Sequence, residues 1–119
     1  MNTDLLSLDV HPTAGLLKAL ADDNRLRMLA LLSQGELCVC HVVEALGLGQ
    51  PNVSQHLALL KAAGVVESTR RGNWVYYRIV EDQPAPLAGI LSAVLAGLAS
   101  LAAADQAALA DAKQRVGCP

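Results

Sequence analysis

Aromatic residues are almost absent from this sequence, which has no Phe, one Trp and two Tyr among its 119 residues. Leu and Ala, with 22 and 20 copies, supply most of the apolar content instead. Both residues favour helices, so we expect a mainly α-helical fold. The length allows one domain with a modest core, and a chain this small and apolar is expected to bury its remaining surface by self-association.

Cysteine is scarce as well. Three cysteines, Cys38, Cys40 and Cys118, are an odd number and too few for a disulfide scaffold. The first four residues lack the basic start of a secretory signal. We therefore expect a cytoplasmic protein with reduced thiols.

Charge is missing altogether from residues 83–104, a length that would suit a bilayer span. The large residues of this run recur at i, i+3, i+4 and i+7, however, with mostly Ala, Gly and Ser between them. This pattern favours one apolar face of a long helix that packs on a partner. We expect no membrane partner, and we interpret residues 86–115 as a dimerisation helix.

The prolines, glycines and helix-capping residues predict one winged helix-turn-helix domain over residues 1–119, with its elements in the order α-α-α-α-β-β-α. Pro12 is expected to open the first helix, Asp22 or Asp23 to cap the second, and Leu37 to begin the third. Glycines and a second proline bound the fourth helix, and β-branched residues mark two strands around a turn. Helices and wing together are expected to occupy residues 12–80, with the fourth helix at 50–63 and strands at 65–70 and 74–80.

A short glycine-containing turn, residues 47–49, joins the third and fourth helices, as in a helix-turn-helix. One face of the fourth helix offers amides, a hydroxyl and an imidazole, which can bond base edges or phosphates. The hairpin carries cations where a wing would lie along a phosphate backbone. His56 suits either a DNA contact or a bond between helices. The predicted DNA-binding residues are Gln50, Asn52, Ser54, Gln55, His56, Lys61, Arg70, Arg71 and Asn73.

The charge distribution supports this interpretation although the whole chain is acidic. The formal net charge is −2. Between residues 61 and 80, four cations oppose one acid, Glu67, which leaves a local charge of +3. A local basic field matters more for phosphate contact than the total charge does. A winged helix used only for protein binding remains the alternative.

Several segments resemble the ArsR/SmtB family, namely residues 20–26, 36–40, 50–57, 60–66 and 71–77, so that the resemblance covers about residues 13–80. It implies a homodimeric winged helix-turn-helix repressor that binds double-stranded operator DNA and leaves it when a metal or metalloid binds. The segment Glu36-Leu37-Cys38-Val39-Cys40 is similar to the arsenic-sensing branch, which implies that Cys38 and Cys40 bind trivalent arsenic (arsenite) or antimony. No organic cofactor is expected.

The third ligand is a separate question. His41 stands where that branch commonly has Asp, and Val43 stands where it often has a third cysteine. Cys118 is our candidate for the third thiolate. The alternative is that water, hydroxide or a small thiol completes a site made of two protein sulfurs, and His41 is expected to be a solvated helix residue.

The spacing of Cys38 and Cys40 sets a condition on the backbone. Residues i and i+2 lie about 200° apart on a regular α-helix, but they share one face of an extended chain. The pair can therefore hold one soft ion only where the helix start is extended or distorted. Rival interpretations are two small core residues, a sensor of another soft metal, a thiol redox switch, or an enzyme. Against an enzyme, the sequence shows no Gly-rich phosphate loop and no acid–base pair.

Overall fold

The computed structural model describes residues 3–99 and 103–115. The described chain is mainly helical and contains one small antiparallel sheet. Its elements in chain order are α1 Thr3–Leu20, α2 Asp23–Leu32, β1 Leu37–Cys38, α3 Val39–Leu46, α4 Gln50–Ala62, β2 Val66–Arg71, β3 Trp74–Ile79, α5 Leu87–Leu98 and α6 Ala103–Arg115.

The expected helix-turn-helix and wing are confirmed. Helix α3 ends at Gly47, whose left-handed φ of 67° turns the chain towards α4. Strands β2 and β3 form the wing hairpin, with Arg71 paired to Trp74 around a two-residue turn. Gly72 in that turn has a φ of 63°, which a residue with a Cβ rarely adopts.

The core lies among α2, α3, α4 and the sheet. On α4, Val53, Leu57 and Leu60 are fully buried at a spacing of four and three residues. The neighbouring positions on the other side of α4 are consequently exposed. Hydrophobic periodicity therefore determines which side chains this helix presents to a partner.

Three expected boundaries are wrong. Helix α1 begins at Thr3 and contains Pro12 in its interior, although Pro12 was expected to open it. Proline removes one hydrogen bond from a helix but does not end it where the flanking residues continue the turn.

The cap of α2 is Asp22, whose carboxylate accepts a hydrogen bond of 3.0 Å from the backbone N–H of Arg25.

The second error concerns the segment that carries Cys38 and Cys40. Leu37 and Cys38 were expected in the third helix, but they form strand β1, which pairs with Tyr77 and Tyr76 of β3. Backbone hydrogen bonds to the wing hold these two residues extended, and the helix begins at Val39.

The third error concerns the dimerisation helix. Residues 86–115 do not form one helix: α5 and α6 differ in direction by 85°, and their connection, residues 100–102, lies outside the described residues. Helix α6 packs against α2 and α3 of its own chain, with Leu109 and Ala112 buried. Within the described ranges no single helix is long and apolar enough to cross a membrane; only the bent pair α5–α6 passes by length and composition.

Candidate metalloid site and nucleic-acid interface

Cys38 and Cys40 bring their sulfur atoms together at the amino end of α3. Cys38 is the residue before the helix, with extended backbone angles of −70° and 141°, and Cys40 lies in the first turn. The change from extended to helical backbone between them turns both side chains the same way, and the two Sγ atoms lie 2.6 Å apart. The backbone condition for a shared ion is therefore met, but the expectation of reduced thiols is wrong for this structure: Cys38 is free, whereas Cys40 is disulfide-bonded.

A cleft of about 380 Å³ opens in front of this pair. Its walls come from the start of α4 and from the wing, so both cysteines lie on the side of the domain that carries the predicted DNA contacts. The lining residues are Cys38, Val39, Cys40, Gln50, Ser54, Asn73, Trp74, Val75 and Tyr77.

The described residues do not complete a three-ligand site. No group of three His, Cys, Asp or Glu side chains in the described part of the chain could hold a metal ion. His41, expected to be a solvated helix residue, is buried with 8% of its surface exposed. Cys118 lies outside the described residues, so a third thiolate from that position is a matter for experiment.

Strand β1 connects the thiols to the wing. Cys38 is the register partner of Tyr76 on β3. Glu36, two residues before Cys38, forms an ion pair of 2.7 Å with Arg71 at the wing tip. The guanidinium carbon of Arg71 also lies 4.4 Å from the centre of the Tyr76 ring. The hydrogen bond to Glu36 is the main cause of a raised pKa of Arg71, which stays protonated.

The amino-terminal half of α4 presents an exposed polar surface. Gln50, Asn52, Ser54 and Gln55 are all exposed, as a reading role requires. His56 is half-buried, and its Nδ1 lies 3.2 Å from a guanidinium nitrogen of Arg25. Of its two expected roles, the structure therefore places His56 in a contact between α4 and α2.

The cationic side chains of the wing differ in whether they already form ion pairs within the protein. In the described chain, Arg70 is exposed and has no ion pair, whereas Arg71 is held by Glu36 and Arg78 is paired with Glu67. Lys61, at the end of α4, donates a 2.8 Å hydrogen bond to Ser68 on β2. Asn73 is exposed at the turn. Arg70 is therefore the hairpin cation most available to a phosphate.

Sequence reasoning missed the packing of α6 on α3. Arg27 donates two hydrogen bonds to Asp105, of 2.9 and 3.0 Å. Arg115 lies 2.6 Å from Glu44, a residue of α3. Hydrogen bonding to Asp105 and to Glu44, respectively, is the main cause of raised pKa values of the two arginines. Both pairs join residues more than 70 positions apart, which no local pattern signals.

Comparison with known proteins finds a matching family and similar solved structures. The bacterial regulatory protein arsR family matches residues 22–68, which run from the cap of α2 to the start of the wing. The homodimeric winged helix-turn-helix DNA-binding domain of a possible ArsR-family transcriptional regulator from Mycobacterium bovis is 33% identical. The structural alignment covers 81% of this chain and 86% of the Mycobacterium bovis chain, with a TM-score of 0.69. This chain belongs to the arsR family.

Among curated arsR-family relatives, the arsenic resistance transcriptional regulator ArsR1 of Pseudomonas putida is 47% identical over 79 residues. The arsenical resistance operon repressor of Escherichia coli is 47% identical over 77 residues. The two alignments cover 66% and 64% of this chain, and 62% and 66% of the relatives. The matched part thus spans less than two thirds of either relative.

Proposed function

We propose that this chain is a homodimeric transcriptional repressor that binds operator DNA and is released when trivalent arsenic or antimony binds Cys38 and Cys40. The observation that carries the proposal is the convergence of the two sulfurs at the start of α3, 2.6 Å apart, inside an arsR-family fold. The names of two similar proteins refer to arsenic resistance, which supports the choice of ion.

The donor set fits a soft trivalent ion. Thiolate sulfur is the protein ligand that soft ions prefer. Two sulfurs that bind one ion at about 2.3 Å each stand about 3.5 Å apart, which two cysteine side chains that face the same way can adopt. Arsenite exchanges its hydroxyl groups for sulfur: each As–O bond that breaks is replaced by an As–S bond, the thiol proton leaves with the oxygen as water, and arsenic stays trivalent.

Cys118 is the third thiolate in this proposal, and the anchoring of α6 supports it. Arg115 holds the end of α6 against Glu44, which is one helical turn from Cys40. Cys118 is three positions after Arg115 in the sequence, a tether that spans at most about 10 Å. We therefore choose Cys118 as the candidate for the third ligand.

Release of DNA follows from the position of the pair. Cys38 belongs to β1, which pairs with the wing, and Cys40 belongs to α3, which is three residues from α4. An ion held by both sulfurs therefore links the two elements that form the DNA surface. The ion acts as an inducer because it binds the DNA-free form of the protein more tightly than the DNA-bound form.

Dimerisation is assigned to α5, with α1 beside it. In the single chain, Leu87, Ile90, Val94 and Leu95 of α5 are only partly buried, and Leu17 of α1 is 51% exposed. Two copies that cover these faces remove apolar surface from water. We expect sedimentation at micromolar concentration to show a dimer and Val94→Lys to dissociate it; a wild-type monomer would contradict this assignment.

The whole proposal is tested by titrating operator binding with a panel of ions. Labelled DNA from upstream of the protein's own gene is followed by fluorescence anisotropy, with a phosphine reductant so that no small thiol competes. We expect arsenite and antimonite to release the DNA, and zinc and cadmium to do so weakly or not at all. Release by zinc alone, or failure to bind this DNA, contradicts the proposal.

The role of Cys118 is tested by arsenic X-ray absorption on wild type and Cys118→Ser. Three sulfur neighbours in the wild type and two in the variant support the third thiolate. An unchanged coordination shell and an unchanged arsenite response assign the whole protein-derived site to Cys38 and Cys40.

A further inference from the structure

Arg25 lies where α1, α2 and α4 meet. It belongs to the first turn of α2, inside the part of the chain that matches the arsR family, and the proposed function does not use it. Arg25 is half-buried and, within the described ranges, forms no ion pair, whereas Arg27 on the same helix is paired with Asp105. The role of Arg25 is therefore defined by its hydrogen bonds.

The guanidinium of Arg25 joins the end of α1 to α4. Its Nε donates a 2.7 Å hydrogen bond to the carbonyl oxygen of Ala19, and a terminal nitrogen donates a longer one of 3.4 Å to the carbonyl oxygen of Lys18. Both carbonyls belong to the last turn of α1, where helical N–H donors run out. The other terminal nitrogen lies 3.2 Å from Nδ1 of His56 on α4. Because the guanidinium is planar and held at the α1 end, the N–H that meets His56 has a fixed direction.

This contact decides which nitrogen of His56 carries the proton. Arginine only donates hydrogen bonds, so Nδ1 accepts one, and a neutral imidazole then carries its hydrogen on Nε2. In the described part of the chain, Nε2 has no hydrogen-bond partner. The ring therefore keeps one N–H donor for a group outside the protein.

His56 lies at the boundary between the buried and the exposed side of α4. Its neighbours one turn away are Val53 and Leu60 on the buried side, and Asn52 and Leu59 on the exposed side. The half-buried ring can therefore turn Nδ1 inwards to α2 and leave Nε2 for a partner in solution. Contact with α2 and contact with DNA, the two roles expected of His56, use different nitrogens and are compatible.

From these contacts we infer that Arg25 is a positioning residue for DNA binding: it fixes the His56 ring with its proton on Nε2, and this N–H donates a hydrogen bond to an acceptor on the DNA. The acceptor is a phosphate oxygen or an acceptor atom of a base edge, since both suit a neutral N–H donor. Arg25 acts through the ring and is not itself a DNA contact. The inference rests on the proposed function, because it requires the chain to bind operator DNA.

The tautomer is measured by NMR of the DNA-free protein with isotope-labelled histidine, at about pH 8, where free imidazole is neutral. Spectra that correlate the ring nitrogens with the ring C–H protons distinguish a proton on Nε2 from one on Nδ1. The chain has three histidines, and His56→Asn identifies the signals of this ring by their loss. We expect the wild-type ring to carry its proton on Nε2.

Two arginine variants test what fixes the tautomer. Arg25→Leu removes the donor to Nδ1, so we expect a mixture of both tautomers of His56. Arg27→Leu is the matched control, because it removes an arginine of the same helix that pairs with Asp105 and not with α4. We expect this control to keep the wild-type tautomer.

Operator affinity tests the donor itself. An Asn side chain places its amide near the position of Nδ1 and has no atom at that of Nε2, so His56→Asn keeps an acceptor for Arg25 and removes the proposed DNA donor. A Gln side chain reaches the Nε2 position with an N–H group. We expect His56→Asn to weaken operator binding about five- to tenfold, as loss of one hydrogen bond does, and His56→Gln to weaken it less than about threefold.

The coupling between the two residues is tested by combining the changes. Arg25→Leu should weaken operator binding about as much as His56→Asn, and the double variant no further than either, because both changes remove the same contact. Arg27→Leu should bind within about twofold of wild type. The His56 variants leave the bonds from Arg25 to α1 in place, so they decide the question even if Arg25→Leu does not fold.

Operators with single-base changes identify the acceptor. A loss in His56→Asn that is confined to one base pair assigns a base edge, and a uniform loss assigns a phosphate; both support the inference. A proton on Nδ1 in the free wild type overturns it, and so do wild-type operator affinity of His56→Asn and additive losses in the double variant. Those three outcomes leave the proposed function standing, whereas a wild type that does not bind the operator removes both.

Discussion

The proposed sensor segment, β1 with the first turn of α3, and the proposed reading surface, the exposed side of α4 with the wing tip, are built in opposite ways. The sensor segment is buried and held by backbone pairing to β3. The reading surface consists of exposed side chains on elements whose other faces form the core. Changes in the reading surface should therefore alter DNA binding and leave the fold intact. Changes in the sensor segment should alter the response, because its backbone is shared with the wing.

The largest expected effect is a complete loss of the arsenite response while operator binding is retained. Cys38→Ser and Cys40→Ser should each bind operator like wild type but lose release by arsenite, since each removes a thiolate and neither residue belongs to the reading surface. The measurement is operator anisotropy against arsenite concentration. Val43→Ser, a polar change elsewhere on the same helix, is the control. A cysteine variant that responds at the wild-type arsenite concentration would contradict the site.

The next effect divides the reading surface into two kinds of contact. Gln55→Ala should relax sequence preference at one base position and cost about 1–3 kcal/mol there, as loss of an amide–base contact does. Arg70→Ala should weaken binding to all duplexes and reduce the dependence of affinity on salt by about one phosphate contact. Affinities for a set of single-base operator variants at several salt concentrations distinguish the two. If both variants bind like wild type, the DNA surface lies elsewhere.

A smaller effect concerns the stability of the fold and should change neither the arsenite response nor DNA binding. Asp22→Ala removes the cap of α2 and should lower the free energy of unfolding by about 1 kcal/mol at pH 7 without changing the arsenite response. The backbone hydrogen bond from Arg25 is the main cause that lowers the pKa of Asp22 below its ordinary value of 3.8. A lowered folded-state pKa means that the contribution is complete above 3.8 and is lost as the pH falls through the folded value.

Urea unfolding of wild type and Asp22→Ala at pH 7 and near pH 3 checks this prediction. The difference between the two proteins should shrink at the lower pH. A difference that grows on acidification would contradict the assigned cap.

The smallest effect tests the link between the two regions. Glu36→Gln removes the ion pair that holds Arg71, and it also removes a negative charge beside the wing. We expect operator affinity to rise about two- to fivefold, because exposed ion pairs contribute little, and the salt dependence to steepen by about one contact. Glu81→Gln is the matched control, since Glu81 is also acidic and exposed but has no ion pair in the described chain. Equal effects of the two variants would mean that general charge, not the Arg71 contact, is responsible.

Local patterns were enough for much of the fold. The burial of Val53, Leu57 and Leu60 follows from their spacing on α4, and Gly47, Gly64 and Gly72 mark three turns where φ is positive. The predicted start of α1 at Pro12 was wrong because the usual place of proline at a helix start is a statistical preference, not a requirement. Strand β1 was missed because two residues are too short for any periodic signal.

By itself, the sequence determined the helix-turn-helix, the wing hairpin, the buried face of α4 and the cysteines that could serve a soft ion, because these depend on residue type and on spacing within one element. The tertiary structure alone decided that Cys38 is extended, that Arg71 is held by Glu36, and that α6 folds back on α3. Each of these depends on contacts between residues far apart in the chain. Their free energy depends on which surfaces meet, and nothing in a local pattern encodes that choice.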